Sequence, residues 1–184
     1  MKYLDLKKLL KGNIFGMLDV VKLFPNEKSA AIRTQLYRLA KKGLISPIKR
    51  GLYCFDKSKI DELELAGQLY SPSYVSLETA LNFYGVIPDI PMAVRSVTPI
   101  TTKKIETSLG KFYYLKIDSK LFFGFSQTPF NIAYKEKALL DYFYLRRIKK
   151  VSREMRLRLN DWDWKRYHEY SVHFPKWVQE IKLL

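Results

Sequence analysis

Cysteine, glycine and histidine are scarce in this sequence, and each shortage excludes a class of site. The 184 residues include a single cysteine, Cys54, so no internal disulfide can form. The eight glycines are scattered along the chain and build no glycine-rich loop of the kind that binds phosphate. The two histidines, His168 and His173, lie close together with no cysteine nearby, which disfavours a zinc site. The sequence therefore predicts no metal ion, no cofactor and no catalytic residues.

Long apolar runs are also missing. No run approaches the roughly 18 residues needed to cross a bilayer, and the opening MKYLDLKKLLKG interleaves charges too early for a signal peptide. We therefore expect a cytoplasmic protein that does not contact a membrane. Apolar residues make up 47% of the chain and aromatic residues 15%, which is enough to build a core and argues against global disorder.

Acidic residues are too few to balance the basic ones, and the excess is unevenly placed. The net charge of +15 comes from 33 Lys and Arg against 18 Asp and Glu. Residues 1–57 carry 13 basic and 4 acidic side chains, residues 58–130 carry 7 of each, and residues 131–184 carry 13 and 7. This distribution predicts two basic surfaces around a neutral middle, and nucleic acid is the expected partner.

The first 57 residues show the element order of a winged helix-turn-helix. We predict helices over 4–11, 17–24 and 28–42, then strands over 44–48 and 52–55, with Lys49-Arg50-Gly51 at the tip of the hairpin. Cys54 lies in the second strand, where its apolar neighbours indicate a packing role. In this motif the last helix enters the major groove of DNA.

The helix from Lys28 to Lys42 is the predicted recognition helix. Its apolar stripe consists of Ile32, Leu36, Leu39 and Ala40, and Gly43 ends it. Its other side is small, polar and basic: Lys28, Ser29, Ala30, Arg33, Thr34, Tyr37, Arg38 and Lys41. Arg33 or Arg38 would read guanine, while Ser29, Thr34 and Tyr37 are suited to phosphates or thymine methyl groups. Lys49 and Arg50 would hold the flanking DNA backbone. The alternative is an ordinary solvated face with a soluble turn.

The rest of the chain predicts an α+β domain over 71–184, joined to the first domain by a connecting helix over 58–70. Ser76 is the expected N-cap of a helix that Gly85 ends. Segments 92–99, 111–117 and 121–125 predict a small antiparallel sheet, followed by a helix over 135–147 and one or two helices in 161–184.

A second basic surface is predicted between residues 146 and 158. Its members are Arg146, Arg147, Lys149, Lys150, Arg153, Arg156 and Arg158. These side chains could contact nucleic acid. The alternative is a solvated face, because the C-terminus of a helix attracts cations without any ligand.

Two pairs of acidic residues could in principle do chemistry. Asp161 and Asp163 could present two carboxylates to a divalent cation, but helix initiation is the favoured interpretation. Glu136 and Asp141 lie five apart on a predicted helix, so their side chains diverge and make a poor acid–base pair. We expect no enzymatic activity from either pair.

Two segments of the second domain resemble a known family. They are the run YVSLETALNFYGVIP from Tyr74 to Pro88, preceded by Ser71-Pro72, and the helix that begins AYKEKALLD at Ala133. Both look like the signatures of AbiEi-type antitoxins, and Leu36–Ile45 with Lys49–Tyr53 is similar to the recognition helix and wing of that family. The resemblance implies a bacterial regulator of abortive infection, a phage defence. In this family a winged helix-turn-helix represses the operon of a type IV toxin–antitoxin system, and the C-terminal domain opposes a nucleotidyltransferase-like toxin.

The sequence thus predicts an α+β protein with an N-terminal winged helix-turn-helix, a small mixed α+β domain and C-terminal helices. The expected function is sequence-specific DNA binding by a transcriptional autorepressor, with double-stranded DNA of its own promoter as partner and a homodimer as one expected state on DNA. The antitoxin role adds a toxin as partner. The alternative is an RNA-binding protein or a nucleic-acid-processing enzyme that uses the C-terminal basic cluster.

Overall fold

The computed structural model describes residues 2–183 as a mixed α+β fold. Eight α-helices and two β-sheets form within the described range. The chain divides into two compact units: unit 1 extends to Asp61 and includes Thr107–Leu109, and unit 2 comprises Glu62–Glu106 and the chain from Gly110 onward. Among the described helices none combines the length and apolar character that a membrane span requires.

Unit 1 contains three helices and a three-stranded sheet. In chain order its elements are α1 (Tyr3–Leu9), β1 (Ile14–Gly16), α2 (Met17–Leu23), α3 (Ser29–Lys41), β2 (Ser46–Lys49) and β3 (Leu52–Cys54). The sheet order is β1-β3-β2 and both pairings are antiparallel, so β3 is central, with Cys54 facing Ile14 on one side and Ser46 on the other. The hairpin predicted at this position is therefore present.

Apolar residues spaced at helical intervals explain why the helices of unit 1 pack as they do. The cluster of buried side chains draws on every helix and on the sheet: Leu6, Phe15, Val20, Ile32, Leu36, Leu39 and Ile45. Each buried side chain of this size contributes about 1.5–3 kcal/mol through removal from water. Cys54 is fully buried as a free thiol, which confirms its predicted packing role.

Unit 2 is built around a six-stranded sheet. Its elements are α4 (Glu62–Leu69), β4 (Tyr74–Val75), α5 (Leu77–Phe83), β5 (Val94–Thr98), β6 (Lys103–Thr107), β7 (Gly110–Lys116), β8 (Phe125–Ser126), β9 (Ile132–Ala133), α6 (Lys135–Arg146), α7 (Trp164–Ser171) and α8 (Lys176–Gln179). The strand order is β6-β7-β5-β4-β9-β8.

The predicted antiparallel sheet is wrong, because this sheet is mixed. β5 runs parallel to β7, with Val94 beside Phe112 and Thr98 beside Lys116, and β4 runs parallel to β9. The error at β5 and β7 arises because β6, with the polar sequence KKIET, was not recognised as a strand. It lies at the edge of the sheet and carries the chain outside β7, which allows β7 to return parallel to β5. The predicted strand over 121–125 is also wrong, since a 3-10 turn covers Ser119–Leu121 and β8 begins only at Phe125.

Candidate nucleic-acid interface

Helix α3 has one buried side and one exposed side, as the sequence pattern predicts. Ile32, Leu36 and Leu39 are buried on the inner side, where they join the core of unit 1. Gly43 follows the helix with a φ of +69°, a left-handed conformation that glycine adopts without steric cost. The outer side faces solvent along the whole length of the helix, so its side chains are available to a partner.

The exposed side of α3 consists of two neighbouring rows of side chains. Residues four apart lie on the same face of a helix. One row contains Ser29, Arg33 and Tyr37, and the other contains Ala30, Thr34 and Arg38, and all six residues are exposed. The predicted contact residues of this helix are therefore brought together on one surface about three turns long.

The cations of α3 are not committed to ion pairs within the protein. Neither Arg33 nor Arg38 forms a salt bridge with another residue in the described part of the chain, and the Lys41 ammonium lies 5.7 Å from the centre of the Tyr37 ring. At the N-terminal end, Lys28 occupies the N-cap position and no acidic residue stands in the first turn. A cation there opposes the helix dipole, which favours negative charge at this end. An anionic partner such as a phosphate would relieve that repulsion.

The turn between β2 and β3 presents one exposed cation. Gly51 adopts a φ of +79°, which the tight turn requires and which a residue with a Cβ atom rarely adopts. Arg50 at the tip is exposed, while Lys49 is half-buried and interacts with another group of the protein. Of the two predicted wing contacts, Arg50 is thus the one that projects fully into solvent.

Three of the seven members of the predicted second basic surface make contacts within unit 2. Arg146 donates to Glu78 at 2.7 and 2.9 Å, and Arg156 donates to Asp89 at 2.7 Å. The Arg147 guanidinium lies about 6 Å from the ring centres of Tyr144 and Trp177. The other four members of the set are exposed and have no salt bridge among the described residues, namely Lys149, Lys150, Arg153 and Arg158. This surface therefore offers fewer uncommitted cations than the sequence suggests.

A buried polar cluster in unit 2 was missed by the sequence analysis. Lys137 and Asp141 lie one turn apart on α6, form an ion pair and are both fully buried. Tyr74 donates its hydroxyl hydrogen to Asp141 at 3.0 Å and accepts from Lys137 at 2.9 Å, and Ser76 donates to Asp141 at 2.9 Å. The i to i+4 spacing of Lys137 and Asp141 within an apolar helix was the available signal, but charged residues are normally exposed.

Ser76 is at the predicted N-cap position of α5, but the predicted capping hydrogen bond is absent. Its hydroxyl donates to Asp141 instead. A buried carboxylate without hydrogen-bond donors costs more free energy than an uncapped helix end. Gly85 ends the helix with a φ of +69°, as predicted.

The environment of the buried pair excludes it as an accessible reactive site. The Lys137 ammonium lies 5.1–5.4 Å from the ring centres of Tyr74, Phe123 and Phe174. Burial among these rings lowers the pKa of Lys137 and raises the pKa of Asp141, and their mutual attraction opposes both effects. Because the two side chains have no solvent-exposed surface, a substrate could reach them only if the core opened. Through Tyr74 they link α6 to β4 by hydrogen bonds.

The other acidic residues singled out in the sequence have structural partners. Asp163 caps α7 by accepting from the backbone N–H of Arg166 at 2.9 Å, which confirms the predicted helix initiation for this residue, whereas Asp161 lies before the cap with a φ of +51°. Glu136 is fully buried and accepts from the backbone N–H of Asp163 at 3.2 Å. Within the described residues, no group of three or more His, Cys, Asp and Glu side chains is arranged to hold a metal ion. His168 and His173 instead pack against the rings of Trp164 and Phe123.

A scan against protein-family models and a search of curated proteins both give no match for this chain.

Proposed function

We propose that unit 1 is a winged helix-turn-helix that binds duplex DNA, and that the protein is a sequence-specific transcriptional regulator of its own promoter. In this proposal α3 lies in the major groove and the turn between β2 and β3 is the wing. The observation that carries the proposal is the exposed face of α3, where Arg33 and Arg38 form no ion pairs with described residues while the opposite face is buried. Such a helix can approach base edges without losing internal contacts.

The element order supports the same interpretation. α2 and α3 are joined by a short turn around Pro25, and the β2–β3 hairpin follows α3 directly. β1 adds a third strand to that hairpin, which fixes the wing on the core of the unit. Arg50 at the tip is suited to a phosphate of the flanking backbone, a contact that positions the protein without reading sequence.

A comparison between arginines favours unit 1 over unit 2 as the DNA-binding surface. Four of the seven arginines of unit 2, Arg95, Arg146, Arg156 and Arg166, are bound to carboxylates, and the other three are not bound to any carboxylate within the described range. Arg33, Arg38 and Arg50 have no carboxylate partner among the described residues. An arginine held by a carboxylate must give up that pair before it can bind a phosphate, so the arginines of unit 1 bind DNA at lower cost than these four.

Substitution of Arg33 and Arg38 by Glu tests the proposal. We expect wild-type protein to retard a duplex fragment of its own promoter in a mobility-shift assay, and R33E/R38E to lose that binding, because two attractive charges become repulsive. The matched control is K149E/K150E, which makes the same change of charge on the exposed part of the second basic surface. Equal losses in both variants would show that only net charge matters, and an unchanged R33E/R38E would refute the assignment of α3.

An antitoxin role is a second candidate, and the buried cluster explains part of the resemblance that suggests it. Tyr74 and Ser76 belong to one of the two resembling segments, and Lys137 and Asp141 to the other. The two segments thus meet in the core of unit 2. Because these four side chains are buried, a toxin would have to contact other residues. A nucleotidyltransferase-like reading frame beside this one would support the antitoxin role.

A further inference from the structure

Thr34 has two alternative roles in a DNA complex, and the structure distinguishes them. A threonine can donate its hydroxyl hydrogen to a phosphate, or it can place its methyl group against the methyl group of thymine. The Thr34 hydroxyl already donates to the backbone carbonyl of Ala30, one turn earlier, at 3.1 Å. Phosphate oxygens only accept hydrogen bonds, so Thr34 has no hydrogen left for one while it keeps this bond.

Ser29 provides the contrast on the same helix face. Its hydroxyl makes no hydrogen bond to another described residue, and it stands at the start of α3, directly after the N-cap residue Lys28. Free backbone N–H groups at the start of a helix also favour a phosphate at this position. Ser29 is therefore placed to hold the DNA backbone, whereas the group that Thr34 presents to solvent is its methyl.

The surroundings of Thr34 fit a base edge. A shallow depression of about 330 Å³ on α3 is lined by Thr34 with Glu27, Ala31, Gln35 and Arg38. Ala31 adds a second methyl group, and Arg38 brings a guanidinium that has no carboxylate partner among the described residues. A methyl surface next to an arginine matches a thymine beside a guanine, since arginine is the usual reader of guanine in the major groove.

We infer that Thr34 determines specificity by contacting the 5-methyl group of a thymine in the major groove, beside a guanine that Arg38 reads. This inference rests on the proposed DNA-binding function and adds the base type that one side chain selects. Arg38 and Thr34 are one helical turn apart, so neighbouring bases on the same groove edge are within reach of both.

Replacement of thymine by uracil in the promoter fragment tests this inference, because uracil lacks only the methyl group. The promoter region that the protein protects in a footprint is synthesised with each thymine changed to uracil in turn. We expect one substitution to weaken wild-type binding about fourfold, the effect of one buried methyl group. Thr34→Ser, which keeps the hydroxyl and loses the methyl, should weaken binding to thymine DNA by the same factor and should show no further loss on uracil DNA.

Two more variants make the result specific. Thr34→Val keeps a methyl group without the hydroxyl and should still distinguish thymine from uracil. Ser29→Ala should weaken binding equally on both DNAs, because a phosphate contact does not depend on the base. If wild-type protein protects no DNA, the proposed function fails and this inference with it. If wild-type protein binds but no uracil substitution matters, or Thr34→Ser and uracil act additively, only the inference about Thr34 is overturned.

Discussion

At the scale of single residues, charged side chains occur in two settings in this protein: exposed on α3 and buried in the core of unit 2. The arginines on α3 are exposed and project away from the core, and the sequence pattern located them because the exposed side is the complement of the apolar stripe. Lys137 and Asp141 are fully buried, and the sequence analysis overlooked them because their pairing depends on Tyr74 and Ser76, more than 60 residues away. Local periodicity reports which face of a helix is apolar, but it does not report which distant hydroxyls reach a buried carboxylate.

Two buried tyrosines give a test at this scale. The hydroxyl of Tyr167 has no hydrogen-bond partner among the described residues, whereas that of Tyr74 bonds both Asp141 and Lys137. We expect Tyr167→Phe to leave the free energy of unfolding unchanged or to raise it by up to about 1 kcal/mol, and Tyr74→Phe to lower it by about 1.5–3 kcal/mol. Denaturant titration of both variants measures the difference, and a larger loss in Tyr167→Phe would contradict these contacts.

The pH dependence of Tyr167 follows from its burial. Desolvation raises the pKa of Tyr167 from 10.0 to about 12. Between these values the folded protein keeps the phenolic proton that the unfolded chain has released, so the folded state binds more protons and its stability falls as the pH rises. In Tyr167→Phe this part of the alkaline loss should disappear, leaving a shallower decline between pH values of about 10 and 12.

At the scale of elements, local signals were sufficient for most helices and insufficient for the sheet. The helix predicted over 58–70 begins only at Glu62, because a 3-10 turn covers Lys57–Lys59. Amphipathic spacing, with a terminal glycine after α3 and α5, identified α2, α3, α5 and α6 to within one residue at each end. The parallel pairing of β5 with β7 was not predictable in this way, because it depends on β6, whose lysines give no apolar alternation. Lysines are typical of edge strands, because they discourage pairing with strands of other chains. The same lysines interrupt the apolar alternation by which a strand is recognised in a sequence.

Two glycines test how tightly α6 is held in unit 2. A Cβ atom on Gly124 would lie 3.0 Å from Lys137 Cγ and 3.2 Å from the Tyr170 ring, and its φ of +73° disfavours alanine. We expect Gly124→Ala to lower the free energy of unfolding by about 1–3 kcal/mol. Gly67 in α4 is the control: no described atom lies within 4 Å of its Cβ position, so Gly67→Ala should stabilise by about 0.5–1 kcal/mol. Thermal or denaturant unfolding that shows equal effects would contradict this packing around Lys137.

At the scale of the whole molecule, the charge is concentrated in the smaller unit. Unit 1, with 14 Lys and Arg against 5 Asp and Glu, carries +9, and the larger unit 2, with 19 against 13, carries +6. Several cations of unit 2 are also bound to carboxylates, which reduces the field they present. Association with DNA should therefore depend steeply on salt, with most of the dependence arising from unit 1.

The most direct test of the central claim is a guanine-methylation interference experiment on the promoter fragment. Methylation at N7 blocks the major-groove edge of guanine, which is the edge that an arginine of α3 would bind. We expect methylated guanines at defined positions to prevent binding of the wild-type protein, and at least one of these positions to become insensitive in Arg38→Ala. Binding that tolerates methylation at every guanine would contradict the placement of α3 in the major groove.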